Sequence, residues 1–286
     1  MRRLLALCLS ILAGYGFAAE TPTDLKVIKD IVYRTGDDLT AYEAERSRLD
    51  VTLPAQSGQP FATYVWLYGG GLKKGGKGLA SEHCAEIAAS FAREGIAVVV
   101  PDYRLSPKAQ YPAYVDDAAA AFAWTVRHIA EHGGDPRKVF IGGHSAGGYL
   151  ALMVGFDASR LKPYGLGLKD VAGIAQVSGQ VFTHYTVREE RGQGRYRVTS
   201  DEAAPAFHVQ KTLPPVLSLY SDNDMIGRAE ENQFLVAMLK GAGHVETYSL
   251  KVTGTDHGSI GHNLRFAQDP GHQAVVQFIR KQAASR

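Results

Sequence analysis

The chain has 286 residues, 45% hydrophobic and 21% charged, a composition that excludes disorder as its main state. Lys and Arg number 31 against 29 Asp and Glu, and no concentrated basic patch is present, so nucleic acid is not an expected partner. Two cysteines are too few for a disulfide framework or a thiolate zinc site, and 31 glycines without a three-residue period exclude collagen.

Met1–Glu20 has the three-part form of a secretory signal: Arg2 and Arg3 at the start, a mostly apolar Leu4–Phe17, then small Gly16 and Ala18 before a cut. The apolar run is shorter than the roughly 20 residues of a spanning helix. The expected organisation is a signal over 1–18, cleaved after Ala18 or Ala19, and one secreted or periplasmic domain over 19–286 with no stable membrane insertion. Losing Arg2 and Arg3 leaves basic and acidic residues equal in number, so the basic excess is an address and not a partner signal. Cys8 leaves with the signal, and Cys84 reads as a small buried residue in a helix.

Strand-like and helix-like segments then alternate. Val27–Tyr33, Arg48–Thr52, Phe61–Tyr68 and Ala97–Val100 read as strands, with a helix over Glu82–Glu94 capped by Ser81. Tyr111–His132 has apolar residues at Ala118, Phe122, Val126 and Ile129, which is helical spacing. Val139–Ile141 leads through a Gly-rich turn into a helix from Ala146. Val171–Val177, Val216–Tyr220 and Glu246–Val252 are further strands, and Glu230–Leu239 and Gln273–Gln282 further helices. Short apolar strands separated by helices imply one α/β domain with a mainly parallel sheet of about eight strands. Gly179–Pro215 is the least regular stretch, and its polar run Arg188–Arg197 reads as a solvated excursion of the kind that shapes binding sites.

Gly143-His144-Ser145-Ala146-Gly147 is a G-x-S-x-G sequence between an apolar strand and a helix-competent run. A strand that turns abruptly into a helix exposes the serine hydroxyl, and only glycine fits two residues to either side. Ser145 is therefore the expected nucleophile. Serine needs a base, and the base needs an orienting carboxylate, in the chain order Ser, Asp or Glu, His. Val216–Tyr220 runs into Asp222 and Asp224. Asp224 is the expected acid, with Asp222 left to cap the turn. His257 follows the last strand in a Gly/Asp loop and is the expected base, with His262 the alternative. Asp256, His257 and His262 match no zinc spacing, so no metal is expected. The Tyr68–Leu72 run and Ala146 offer backbone N–H groups for an oxyanion, from Gly70, Gly71 and Ala146. Lys73–Lys77 lacks the phosphate-loop sequence because Gly78 follows Lys77.

Four stretches carry a family likeness: YGGGL (Tyr68–Leu72), PDYRLSP (Pro101–Pro107), GDPRKVFIGGHSAGG (Gly134–Gly148) and the Asp224…His257 pair. On these the chain resembles the α/β-hydrolase fold over nearly all of residues 19–286, in the esterase/lipase branch that holds hormone-sensitive-lipase-like enzymes, feruloyl and acetyl xylan esterases and kynurenine formamidases. The resemblance implies a serine carboxylic-ester hydrolase for short-chain, aryl or carbohydrate acyl esters, working without a cofactor. Ser145, Asp224 and His257 match the triad of that branch, and Gly70, Gly71 and Ala146 its oxyanion donors. It implies that Asp102, Tyr103 and Arg104 brace nearby loops and that the cap is small. Tyr68 stands where the branch usually has His, and Leu72 where it often has Trp. An amide or formamide hydrolase is the alternative enzyme, and a non-catalytic binding protein the alternative of another class.

Overall fold

Valine, isoleucine, tyrosine and phenylalanine fit the pleated surface of a buried sheet, and they fill the central strands. In the computed structural model, which describes residues 25–55 and 58–286, these runs form one eight-stranded sheet. The expected signal over 1–18 lies outside the described residues. The strands are β1 (Lys26–Val32), β2 (Arg48–Leu53), β3 (Phe61–Leu67), β4 (Ala97–Pro101), β5 (Gly134–His144), β6 (Ile174–Val177), β7 (Val216–Asn223) and β8 (Thr247–Asp256). Their order is β1-β2-β4-β3-β5-β6-β7-β8. Pairing is parallel from β4 to β8, while β2 runs antiparallel to both β1 and β4.

The helices are α1 (Ala41–Arg46), α2 (Cys84–Arg93), α3 (Ala113–His128), α4 (Ala146–Phe156), α5 (Tyr185–Glu190), α6 (Arg228–Gly241), α7 (Ser259–His262) and α8 (Pro270–Ala284). Every residue of α4 is buried, because it packs on α3 and on β3, β5 and β6 together. In α2 the buried residues Cys84, Ile87, Ala88 and Phe91 repeat at helical spacing and face the sheet. Asp269 caps α8, its carboxylate accepting from the N–H groups of Gly271 and His272, with Pro270 in the first turn.

Several boundaries differ from the sequence reading, β5 among them, which starts at Gly134 and not at Val139. Ser81 does not cap α2. A 3₁₀ turn over Ala80–Glu82 ends at His83, whose φ of 50° breaks the chain direction before Cys84. The strand expected from Val171 starts at Ile174. Val171 and Ala172 are apolar because they are buried, but only Ala172 N–H reaches a neighbouring strand, at Val139. Conversely β8 continues through Thr253–Asp256, where a register shift opposite Ser221–Asn223 keeps a Gly-containing stretch in the ladder.

The excursion after β6 is folded, and its polar run is not wholly solvated. Val181, Thr183, His184, Thr186, Val187 and Arg188 are buried, while exposed residues dominate from Arg191 to Ser200. It forms a small cap. Thr186 Oγ1 donates to the Gly71 carbonyl at 2.6 Å, and Tyr149 Oη of α4 donates to the Ala203 carbonyl at 2.8 Å.

Candidate active site

The C-terminal ends of parallel strands are where loops can converge, and β5, β7 and β8 are each followed at once by a residue set aside above: Ser145, Asp224 and His257. β5 turns into α4 through Ser145, whose φ of 55° and ψ of −112° place it in a sparsely populated region. The crossing is tight. A Cβ on Gly147 would lie 2.0 Å from the Leu67 carbonyl oxygen, so only glycine lets α4 start against the end of β3.

The structure brings Ser145, His257 and Asp224 into one chain of hydrogen bonds. His257 Nε2 is 2.8 Å from Ser145 Oγ, and His257 Nδ1 is 2.6 Å from Asp224 Oδ1. Asp224 also accepts from Ser178 Oγ at 2.5 Å and from the N–H of Met225 at 2.8 Å. Burial raises the Asp224 carboxyl, but the bonds from His257 and Ser178 outweigh it and hold the group below its usual range, as the carboxylate. Asp222 is elsewhere: it is exposed and accepts the Gly254 N–H at 3.1 Å. His262 makes no bond to the acid. Its ring lies against His83 and His144, with centroids 5.1 and 6.0 Å away.

His144, the variable residue of the serine pentapeptide, holds the base from behind. It is buried, and its Nε2 is 2.6 Å from the His257 carbonyl oxygen. A carbonyl only accepts, so Nε2 carries the proton. Burial, with His257 beside it, pushes the imidazole down to about 3, so it stays neutral as a fixed donor.

The loop of the expected glycine donors lies beside the serine, where a Cβ on Gly69 would be 3.6 Å from Ser145 Cβ. Gly70 and Gly71 have φ of 95° and 66°, and the Gly70 carbonyl turns back to accept from Lys73 and Lys74, both at 3.2 Å. Among the described residues nothing accepts from the N–H groups of Gly70, Gly71 or Ala146, which leaves them available to a ligand. Tyr68 braces this loop from below. Its hydroxyl accepts from Arg46 at 2.6 Å and donates to Asp102 at 3.2 Å, and its ring stacks on Tyr103 with centroids 4.4 Å apart. Tyr103 Oη donates to the Tyr68 carbonyl at 2.8 Å. Arg104 pairs with Asp117 and Glu43, both at 2.8 Å, and fixes α1 to α3.

Four residues with a part in this geometry carried no signal in the sequence. Position x of G-x-S-x-G admits any residue, so His144 was silent. Ser178 is marked only by its place after β6, Tyr185 lies in the irregular excursion, and Arg46 sits in a helix too short to show a period. A buried amide and hydroxyl set roots the cap: Gln176 Nε2 donates to Ser218 Oγ at 2.5 Å and to Asn232 Oδ1 at 2.6 Å, and Gln176 Oε1 accepts the Gly179 N–H at 2.7 Å.

This sheet order, with the serine, acid and histidine in loops after β5, β7 and β8, is that of the α/β-hydrolase fold, and the chain is similar to proteins of the esterase/lipase branch. Residues 49–178, from β2 to the end of β6, match the BD-FAE family. The chain is similar to the carboxylesterase NlhH of Mycobacterium tuberculosis, with 39% identity over 90 residues, covering 32% of this chain and 27% of that protein. It is 25% identical over 253 residues to the probable carboxylic ester hydrolase LipM of the same organism, covering 79% of this chain and 56% of LipM. The matched region thus spans 27–30% of the length of the first curated relatives. Among solved structures, a truncated carbohydrate esterase from gut microbiota superposes with a TM-score of 0.73 at 19% identity, covering 91% of this chain and 96% of that one. Esterase 2 of Thermogutta terrifontis with propionate bound superposes at 0.68 and 20% identity, covering 90% and 93%.

Proposed function

We propose that the protein is an exported serine carboxylic-ester hydrolase. The observation that carries this reading is the unbroken line Ser145 Oγ–His257–Asp224, with bonds of 2.8 and 2.6 Å, beside unpaired N–H groups. In the first half-reaction His257 Nε2 takes the Ser145 proton while Oγ attacks the ester carbonyl carbon. The Asp224 carboxylate holds the imidazole and stabilises the imidazolium. The oxyanion is received by Gly70, Gly71 and Ala146. His257 then returns the proton to the departing alcohol as the C–O bond breaks, leaving an acyl-enzyme. Water, activated by the same imidazole, releases the acid and restores Ser145.

The small cap and the packing of Tyr185 against Gly71 favour a compact acyl group. Propionate- and butyrate-bound forms of the Thermogutta esterase support short acyl chains, and the gut carbohydrate esterase supports an ester on a sugar. The charged start and apolar run of residues 1–18 support export.

The test is hydrolysis of 4-nitrophenyl acetate and butyrate by purified protein. Ser145→Ala is expected to lower kcat by about 10⁴-fold or more and to abolish labelling by a fluorophosphonate. Hydrolysis that survives the substitution would sink the mechanism.

A further inference from the structure

The mechanism leaves unused a set of charges around the cap. Arg228 opens α6, is 5% exposed, and spends one guanidinium hydrogen bond, from Nη1 to the Ser178 carbonyl at 2.6 Å. Among the described residues it has no carboxylate partner. That position is unfavourable twice over. A buried cation without a counter-charge is costly, and the first residue of a helix lies at the positive end of its dipole. A neutral donor would serve the Ser178 carbonyl equally well, so that bond does not explain a charge here.

Arg188 repeats the pattern. It is also 5% exposed, donates to the Arg197 carbonyl, and keeps a buried Nε without an acceptor. Burial pushes both guanidinium groups down, and Glu231 is the acid that most offsets it in each case. Glu231 is one carboxylate between two arginines, and its Oε2 already accepts the Val181 N–H at 3.0 Å. Two more cations lie nearby. Arg195 sits 4.2 Å over the Tyr185 ring, and Lys73 pairs with Glu189 at 2.5 Å. His184, buried at the foot of α5, is held far below its usual value by burial and then by Arg228, Arg188, Arg195 and Lys73, in that order. Four cations thus surround the root of the cap, against Glu231 and the Glu189 that Lys73 and Arg195 share.

This region adjoins the reacting centre. The Ser178 that Arg228 touches donates its hydroxyl to Asp224, and the field of Arg228 reaches Tyr185. The Tyr185 hydroxyl lies 1.9 Å from where a Cβ on Gly71 would be, directly over the oxyanion loop. Arg228 is therefore linked to the triad acid through a single residue, Ser178.

We propose that the site takes esters that carry a carboxylate in addition to the scissile ester, and that Arg228, backed by Arg188, binds that carboxylate. The assignment rests on the ester-hydrolase reading and narrows its substrate class. A guanidinium fork matches a carboxylate with two parallel bonds. Glu231 and Asp224 offset Arg228 without pairing with it, so the incoming anion supplies the paired carboxylate that Arg228 lacks and a neutral ester does not. Discrimination follows from that difference.

The test pairs each charged ester with the neutral ester that lacks its carboxylate. On the acyl side, 4-nitrophenyl hydrogen glutarate is compared with 4-nitrophenyl butyrate. On the alcohol side, 4-acetoxybenzoate is compared with phenyl acetate. In one pair the charged ester is expected to have the higher kcat/KM, by about 10-fold or more, with the preference shrinking as salt rises. Arg228→Gln should cut kcat/KM for that ester by about 10- to 100-fold, mainly through KM, and Arg228→Lys should restore part of it. A preference that survives Arg228→Gln overturns the assignment. Should the variant fail to fold, inhibition of the wild-type protein decides. Glutarate is expected to compete with 4-nitrophenyl butyrate better than glutaramide does, and equal inhibition overturns the proposal. If the neutral ester is cleaved as fast as its charged partner in both pairs, the carboxylate preference is wrong while the hydrolase reading stands. If neither member of either pair is cleaved, the hydrolase reading falls and takes this one with it.

Discussion

At Gly71 two constraints meet in one residue. Its φ of 66° is one that side chains rarely adopt, and the Tyr185 hydroxyl occupies the space a Cβ would need. Gly71→Ala is therefore expected to displace an oxyanion donor and lower kcat by about 10²-fold or more, with KM little changed. Adding Tyr185→Phe removes the steric part only, so the double variant should recover partially. Stopped-flow acylation rates on a nitrophenyl ester would show this, and full recovery would mean that backbone strain plays no part. The hydrogen-bonded set of Ser145, Asp224 and His257 was legible in the sequence because each residue obeys a positional rule: glycines around Ser145, and a strand before Asp224 and before His257. His144 was not legible, since its task arises only when the His257 loop folds onto it from 113 residues away.

Among the elements, α1 is the clearest case of structure that the sequence hid. Its six residues are too few to show a period, and its local signal is only the capping box of Thr40 and Glu43. Yet through Arg46 it reaches the Tyr68 hydroxyl, the Tyr103 carbonyl at 2.9 Å and the Gly75 carbonyl at 3.2 Å. Tyr68, where the sequence resemblance leads to histidine, thus holds a structural post and works with a partner contributed from outside the loop. Tyr68→Phe leaves Arg46 and Asp102 each short of a bond in a partly buried setting. The expected loss is about 1–3 kcal/mol in urea unfolding, accompanied by a fall in kcat as the glycine loop loosens. A variant as stable as the parent would show that the hydroxyl is dispensable. The cap was unreadable for a related reason: a polar run such as Arg188–Arg197 looks solvated until buried partners are brought to it.

For the molecule as a whole, the histidines set an acid limit. His144, His184, His262 and His272 all have pKa values below 6.5, in each case chiefly because burial disfavours the charged form. The unfolded chain binds their protons first. Their contribution to stability is therefore complete above about pH 6.5 and is lost as pH falls, for His144 toward about 3. Asp224, whose carboxyl is lowered from 3.8, adds a further loss at the acid end of the same range. Urea midpoints should fall steadily from pH 7 to pH 5. His144→Gln should flatten that slope by up to about 1.4 kcal/mol per pH unit. Parallel slopes for the two proteins would show that His144 is not among the groups responsible. The parallel sheet itself was foreseeable from short apolar strands set between helices. The reversed β2 was not, because direction depends on which neighbour a strand finds and not on its own residues.

The wide spacing of the reacting groups has a consequence for biosynthesis. A chain leaving the ribosome presents Ser145 on its elbow long before Thr247–Asp256 has been made, and the base comes only after that strand. β8 must pair along β7 before His257 can approach the serine, so a growing or prematurely ended polypeptide is chemically silent. On the proposed mechanism hydrolysis begins only when the far edge of the sheet closes, which makes enzymatic competence a report on completed synthesis and folding.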